Sequence, residues 1–439
     1  MADGIVRAGM EQAAASDPAV PDSSLYSPAR RWLFLAILFL VGTSSSVDRV
    51  VISVLLDPIK HEFQVSDTML GLLSGLSFAL LYSVLGLPIA RLADRGDRKL
   101  LITAAITVWS AMTALCAAAG TFWQLLIARI GVGVGEAGAT PPAQSLIVDY
   151  FPLASRARAI GIFATSGTAG YLLGLSLGSQ LVTAFGWRMT LLAFGVPGLL
   201  IAAIVYFVLD EPRRRRSEAA KAAAPEDFMQ SMRRLASKPS FVRLLIGFTI
   251  YHFAAYGSLV FVPSYMTRVI GSPIADAGLY YGMTSALAVL IGSLAGGSLC
   301  DLLVRRDKRW IAWFPAVGYA LAAVPSTLMF LIDDMTLFLF VSTLSGILLY
   351  ASLPAAFSAV HAVCGSARRA TAIALVLFFG NLLGFGLGPV ITGALSDLFS
   401  ASMGATGLRY ALLLVMMLTV PTSVLMFRAA KSVPEDIEH

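Results

Sequence analysis

The sequence predicts an all-α membrane protein of twelve transmembrane helices in two pseudo-symmetric six-helix bundles. Three observations predict it: a composition too apolar for a water-facing surface, twelve apolar stretches of spanning length, and a repeat relating the two halves. Of 439 residues, 57% are hydrophobic and 13% charged. Soluble domains carry about 45–50% and about 25%. A cytosolic enzyme and a nucleic-acid binder are thereby excluded. Cys116, Cys300 and Cys364 lie in or beside apolar stretches at spacings that suit neither a disulfide framework nor a metal knuckle.

Residues 1–31 mix Asp3, Arg7, Glu11, Asp17 and Asp22 with Ala and Ser, which reads as a cytoplasmic tail with no signal peptide. The first bundle, 32–209, holds apolar stretches at 33–56, 68–90, 101–119, 122–147, 158–184 and 188–209. Each approximates the length of about 20 residues that crosses the hydrocarbon layer. Residues 210–240 form the long connection and open on Asp210-Glu211-Pro212 and the run Arg213–Arg216. Within it Phe228, Met229, Met232 and Leu235 recur at helical spacing, so a short helix on the inner leaflet and a solvated linker both fit. The second bundle, 241–428, holds stretches at 241–268, 275–299, 310–332, 336–360, 369–395 and 408–428, and 429–439 reads as a second cytoplasmic tail.

An even number of spans puts both termini on one side. With that side inside, inner segments hold 26 of the 32 Lys and Arg residues, and outer loops hold four: Lys60, Arg188, Arg268 and Arg409. The split follows the positive-inside rule and predicts a plasma (inner) membrane protein with cytoplasmic termini.

The halves match at an offset near 207–210. Asp94, Arg98 and Lys99 correspond to Asp301, Arg305 and Arg306, and Arg158 to Arg368. Leu172, Leu173, Gly174 and Gly178 correspond to Leu382, Leu383, Gly384 and Gly388. Two such bundles enclose a cavity that rocking exposes to each side in turn.

On these residues the chain resembles the major facilitator superfamily along nearly its whole length. The loop Asp94-Arg95-Gly96-Asp97-Arg98-Lys99 resembles the family's best-known motif, with Ala90 where Gly is common and Gly96-Asp97 in reversed order. Arg129-x-x-x-Gly133-x-Gly135 resembles a second motif, whereas the Gly-Pro signature of span five lacks its Pro. A narrower resemblance is to the Spinster subgroup, in a bacterial form. It rests on Asp48-Arg49, Phe63, Ser66-Asp67, Gly71-Leu72-Leu73 and the string from Arg129 to Ala137. That resemblance implies export of lysophospholipid or sphingosine 1-phosphate type lipids.

Charges inside a membrane cost about 2.5–3.5 kcal/mol each on insertion scales and mark function. Asp48, Arg49, Arg129 and Glu136 qualify, all in the first half. Asp48 and Arg129 fall at similar depth, roughly 13 and 10 Å from the outer surface at 1.5 Å per residue. An Asp48–Arg129 ion pair is therefore expected. Glu136 follows Arg129 by seven residues, two turns along one face. Asp48 or Glu136 would take up a proton when its Arg partner turns to an anionic substrate, and Arg49 or Arg129 would hold the headgroup. A network that merely locks spans one and four together is the plainer alternative.

The second half offers His252, Tyr256 and Asn381 as further substrate-binding candidates, each of which also suits ordinary helix packing. Asp94, Arg95, Arg98 and Lys99 are the gating candidates: Asp94 can latch onto a basic residue or helix N-terminus across the cavity. The basic members also serve topology.

Gly133-x-Gly135-x-x-Gly138 matches a dinucleotide fingerprint but lies inside an apolar span, so it reads as close helix contact. No Gly-Lys pair or His-Glu-x-x-His occurs, and four scattered histidines make no metal site. The expectation is a monomeric, proton-coupled secondary transporter and no enzyme. The proton gradient serves in place of a cofactor, and the partners are the lipid bilayer, protons and an amphiphilic or anionic small molecule. The alternatives are a proton symporter for a small organic anion or sugar phosphate, and a transporter-like receptor that moves nothing.

Overall fold

The computed structural model describes residues 26–212, 228–307 and 309–436. Nine helical stretches among them are long and apolar enough to cross a membrane. Leu153–Val208 turns back at Gly186 and Thr371–Val433 at Gly404, so each crosses twice. Both glycines have positive φ, 78° and 61°, which an L side chain resists. The twelfth crossing is broken into Phe122–Glu136 and Thr140–Tyr150. The spans are one (Pro28–Phe63), two (67–95), three (Arg98–Cys116), four (122–150), five (153–185) and six (187–208). The second bundle gives seven (Pro239–Arg268), eight (Ile274–Arg306), nine (310–331), ten (335–364), eleven (366–403) and twelve (407–436).

Several helices overrun the apolar stretches that announce them. Span eight continues to Arg306 and span twelve to Asp436, so residues 429–436 are helix where a tail was expected. The expected N-terminal tail lies outside the described residues as far as 25, and 213–227 of the connection lie outside them too. Phe228–Ala236 is a helix, with Leu235 and Ser231 buried and Met229, Arg233 and Arg234 exposed.

The two poles of the molecule are fixed by polar contacts. At the terminal pole, Tyr26 Oη donates to Asp210 at 3.1 Å and Tyr150 Oη to the Asp210 carbonyl at 2.5 Å. Lys238 Nζ donates there to the carbonyls of Val363 and Asp436 at 2.7 and 3.1 Å. At the far pole, Glu62 accepts from Trp187 Nε1 at 2.8 Å, and Arg188 donates to the Ala119 carbonyl at 2.9 Å. Large side chains such as Ile127, Phe185, Phe207, Leu294 and Phe340 stand 66–79% exposed, as a lipid-facing surface requires.

Spans two, five and eleven each widen into a π-helical turn, at Leu72–Leu76, Leu173–Leu177 and Gly380–Leu387. These turns lie where the halves meet. Span two packs on eleven and span five on eight, and glycines at both seams allow backbone to approach backbone.

Candidate functional site

The four intramembrane charges gather in the first half, around spans one to four. The close approach of span two to span four is set by Gly133, where a Cβ would meet the Phe78 carbonyl oxygen at 2.6 Å. Gly135 seats span four on span three, where a Cβ would meet Trp109 N at 2.6 Å. The glycine string is thus a packing surface, as read from the sequence, and it brings Arg129 and Glu136 against span one.

The pairing differs from the expected one. Arg129 does not meet the Asp48 carboxylate; its Nη2 donates to the Asp48 main-chain carbonyl at 2.7 Å. The Asp48 carboxylate accepts from Thr113 Oγ1 of span three at 2.9 Å. The carboxylate–guanidinium pair is instead Arg49 Nε–Glu136 Oε2 at 2.6 Å, with Ser45 Oγ donating to the same oxygen at 2.9 Å. Depth arguments place Asp48 and Arg129 side by side correctly but say nothing about azimuth. Adjacent helical residues diverge by about 100°, so Asp48 turns to span three and Arg49 towards span four and the cavity.

Exposure separates the four. Asp48, Arg129 and Glu136 are 1–2% exposed, whereas the Arg49 side chain is 28% exposed. Arg49 lines a cavity of about 70 Å³ between the halves, with Ser46, Ser53, Tyr171, Tyr256 and Phe385. Its guanidinium lies over the rings of Tyr82 and Phe78, at 4.8 and 5.3 Å to the centroids. Glu136 Oε1 and Arg129 Nε are buried with no hydrogen-bond partner. The pair therefore has an unspent acceptor on its buried side and an accessible donor on its cavity side.

Tyr171 and Tyr256 connect this cavity to a larger one of about 250 Å³. Its walls include Thr168 and Tyr171 of span five, Tyr251 and His252 of span seven, Tyr281 of span eight and Tyr350 of span ten. His252 stacks on Phe248 at 4.6 Å, and its Nδ1 is 2.8 Å from the Phe248 carbonyl. That carbonyl can only accept, so Nδ1 carries the hydrogen. Asn381 sits half-buried on the span-eleven π turn and lines neither cavity. Tyr171 and Tyr281 were not singled out from the sequence; single aromatics on apolar helices carry no signal there.

Of the gating candidates, Arg98 is bound inside the first half. It reaches Glu211 at 2.5 Å, Asp149 at 2.7 Å and Ser145 at 2.8 Å. Lys99 Nζ lies 5.3 Å from the Tyr206 ring centroid, in the same half. The side chains of Asp94 and Arg95 lie outside the described residues.

Charged contacts between the halves occur at the far pole. Arg268 of span seven donates to Asp57 of span one at 2.5–2.7 Å and to Asp67 of span two at 2.8–2.9 Å. Asp397 of span eleven accepts from the backbone N–H of Asp67 and Thr68 at 2.9 and 2.8 Å, capping the N-terminus of span two. Lys60 and Ser396 complete the set on Asp67, at 2.5 and 2.6 Å. All four basic residues counted in the outer loops are ion-paired: Arg188 holds Glu62 and Arg409 holds Asp333 besides. The sequence signal was available. Lys60 shares its loop with Asp57, Glu62 and Asp67, and Asp333 stands on another connection at the same pole.

The family model for the Major Facilitator Superfamily matches residues 38–325. An MFS-type efflux pump of Mycolicibacterium smegmatis is 32% identical over 391 residues, covering 89% of this chain and 90% of that protein. Protein spinster homolog 1 of Homo sapiens is 27% identical, covering 87% of this chain and 77% of that one. A crystal structure of a bacterial homologue of the human lysosomal transporter Spinster, inward-facing and unoccupied, superposes with a TM-score of 0.85. It is 30% identical and covers 94% of this chain and all of that one.

Proposed function

The chain belongs to the Major Facilitator Superfamily as a transporter of Spinster type, and from that premise we propose that it is a proton-coupled carrier of an amphiphile with an anionic headgroup. The observation that carries the reading is Arg49: of the four intramembrane charges it faces the cavity, and it is held there by a buried carboxylate. A phosphate or carboxylate entering the cavity competes with Glu136 for the guanidinium, which binds either in a planar, two-pronged way. Glu136, released into an apolar surround, takes a proton from cavity water, because an unpaired buried carboxylate is costly. Leaving, the headgroup returns Arg49 to Glu136 and the proton to water. Asp48, held by Thr113 and backed by Arg129, serves as a second proton site.

The larger cavity suits the tail. Its walls are tyrosines, aliphatic residues, methionines and hydroxyls with His252, and without Lys or Arg. A sugar phosphate or small organic anion needs several fixed cations and donors, so a single Arg beside an aromatic chamber favours an amphiphile. The relative named as an efflux pump agrees with outward movement. The Lys/Arg distribution supports cytoplasmic termini, and we propose a monomer in the plasma membrane.

The test is flux into proteoliposomes with and without a pH gradient, using a labelled lysophospholipid and a labelled hydrophilic anion. Gradient-dependent movement of the lysophospholipid is expected. Uptake of the hydrophilic anion alone would overturn the reading.

A further inference from the structure

A row of aromatic rings crosses between the halves at the level of the charges. Arg129 and Arg49 both lie against the Phe78 ring, at 5.8 and 5.3 Å to its centroid. Phe78 of span two meets Phe385 of span eleven at 5.3 Å, and Phe385 meets Tyr256 of span seven at 4.7 Å, edge-on. Phe385 stands on the π-helical turn Gly380–Leu387 and is 7% exposed. It belongs to the second half by sequence, yet the other buried members of its core cluster are first-half residues, among them Phe78, Ala79 and Val132. The backbone delivers it there. A Cβ on Gly75 would meet the Gly386 carbonyl oxygen at 2.6 Å, and one on Gly386 would meet Ala79 Cβ at 3.2 Å. Phe385 also borders the cavity that Arg49 lines.

An aromatic face attracts a guanidinium, most strongly where water is excluded. One ring serving two like charges fixes both, and its own position then decides where they point. The groups around the Arg49–Glu136 pair are Asp48 on span one, Tyr82 on span two, Arg129 on span four, Tyr171 on span five and Tyr256 on span seven, with Cys116 on span three facing Asp48 and Arg129. Of the second-half residues here, Tyr256 packs against the first-half core partly exposed, whereas Phe385 is buried in it.

We propose that Phe385 is a positioning residue for proton coupling: seated on Phe78, it keeps that ring under both guanidinium groups and Arg49 on Glu136, and it withdraws when spans two and eleven part. Separation of the halves and release of Glu136 are then one event. The proton enters from cavity water as Arg49 leaves and returns there when Arg49 comes back. The inference rests on the proton-coupled reading above, but it is tested without substrate.

The experiment measures the distance between spin labels at H61C and A401C, exposed positions on the far-pole ends of spans one and eleven. The native cysteines are buried and stay unlabelled. In the full-length protein the distance is expected to shift between acidic and alkaline pH. F385L keeps apolar bulk without a ring, and is expected to lose most of that shift. F385Y is expected to regain it. A thermal melt of each variant separates loss of the shift from loss of the fold. A wild-type shift in F385L overturns the proposal, and so does a parent whose distance ignores pH. Lysophospholipid flux with a pH-blind distance would sink this inference and leave the transport reading standing. A normal pH shift without lysophospholipid flux would do the reverse.

Discussion

Replacing Arg268 with Ala removes the guanidinium that joins span seven to spans one and two at the far pole. Four hydrogen bonds of 2.5–2.9 Å to two carboxylates are lost. The side chains of Arg268, Asp57 and Asp67 are 18%, 14% and 2% exposed. An exposed ion pair contributes up to about 1 kcal/mol, and breaking a fully buried one costs about 3–5 kcal/mol. The loss at Arg268 is moderated, because Asp67 keeps Lys60 and Ser396, and Asp57 keeps the Thr267 hydroxyl at 2.6 Å. A value of about 2 kcal/mol follows from those bounds. These bonds exist while the far pole is closed, because their two ends belong to different halves. The closed state therefore loses the whole amount and the open state, with its groups in water, loses almost none. At 1.36 kcal/mol per decade, the open population rises roughly 30-fold. The assay is the reaction rate of a thiol placed in the cavity by T168C with a membrane-impermeant reagent supplied at the far pole. R268K should fall between, since an ammonium cannot fork to both carboxylates as a guanidinium does. A rate for R268A within twofold of its T168C parent would refute the reasoning.

Glu136→Gln preserves shape but not titration; gradient-driven accumulation of lysophospholipid should disappear while the thermal midpoint stays within a few degrees of wild type, as flux and melting in the same preparation would check. Arg49→Ala should weaken binding of an anionic lysolipid about tenfold or more, the worth of a charge-assisted hydrogen bond. Arg129→Ala should instead lower the thermal midpoint, because Arg129 is buried against the Asp48 carbonyl; titration and melting of both variants distinguish the roles. Gly71→Ala sets a methyl against the Pro389 carbonyl, and Gly278→Ala sets one against Ser179 Cβ and the Leu175 carbonyl. None of these atoms can rotate aside, so G71A and G278A should both raise far-pole thiol reactivity above that of the T168C parent; parent rates in either would contradict this.

Spans, poles and the glycine contacts of span four were legible because each depends on composition or period. A run of apolar residues has one stable fate in hydrocarbon, and Gly133 and Gly135 on one helix advertise close approach. The partners of Asp48 and Arg129 were not legible. Both were placed at one depth, but a rotation of about 100° between neighbours on a helix decides whether a carboxylate meets a guanidinium or a threonine. The far-pole network was missed for a different reason. Lys60 and Arg268 entered the count as departures from the basic-residue bias; Lys60 has Asp57 and Asp67 beside it in its loop, but the partners of Arg268 lie about 200 residues away and only the fold brings them together. Tyr171 and Tyr281 become meaningful where spans from both halves converge, which no local pattern encodes.

The repeat carries further than topology. Gly71 abuts Pro389 and Gly278 abuts Ser179; Gly75 abuts Gly386 and Gly282 abuts Ser176. From first half to second, the glycines are offset by 207 and their partners by 210, as in the alignment of the halves. The two-eleven seam and the five-eight seam are thus copies of one contact. Their decoration differs. At the five-eight seam, Ser179 and Gln180 donate to the Ala275 carbonyl at 3.1 and 3.0 Å, and Ser176 to the Leu279 carbonyl at 3.0 Å, all neutral bonds. The two-eleven seam carries Asp67 and Asp397 at its far end and Phe78 with Phe385 beside Arg49 deeper in. Duplication supplied a symmetric hinge surface, and charge was added to one side of it. Under the proposed mechanism, closure along the five-eight seam would vary little with headgroup or proton. Closure along the two-eleven seam would depend on both, which is where a carrier driven by a proton gradient needs its sensitivity.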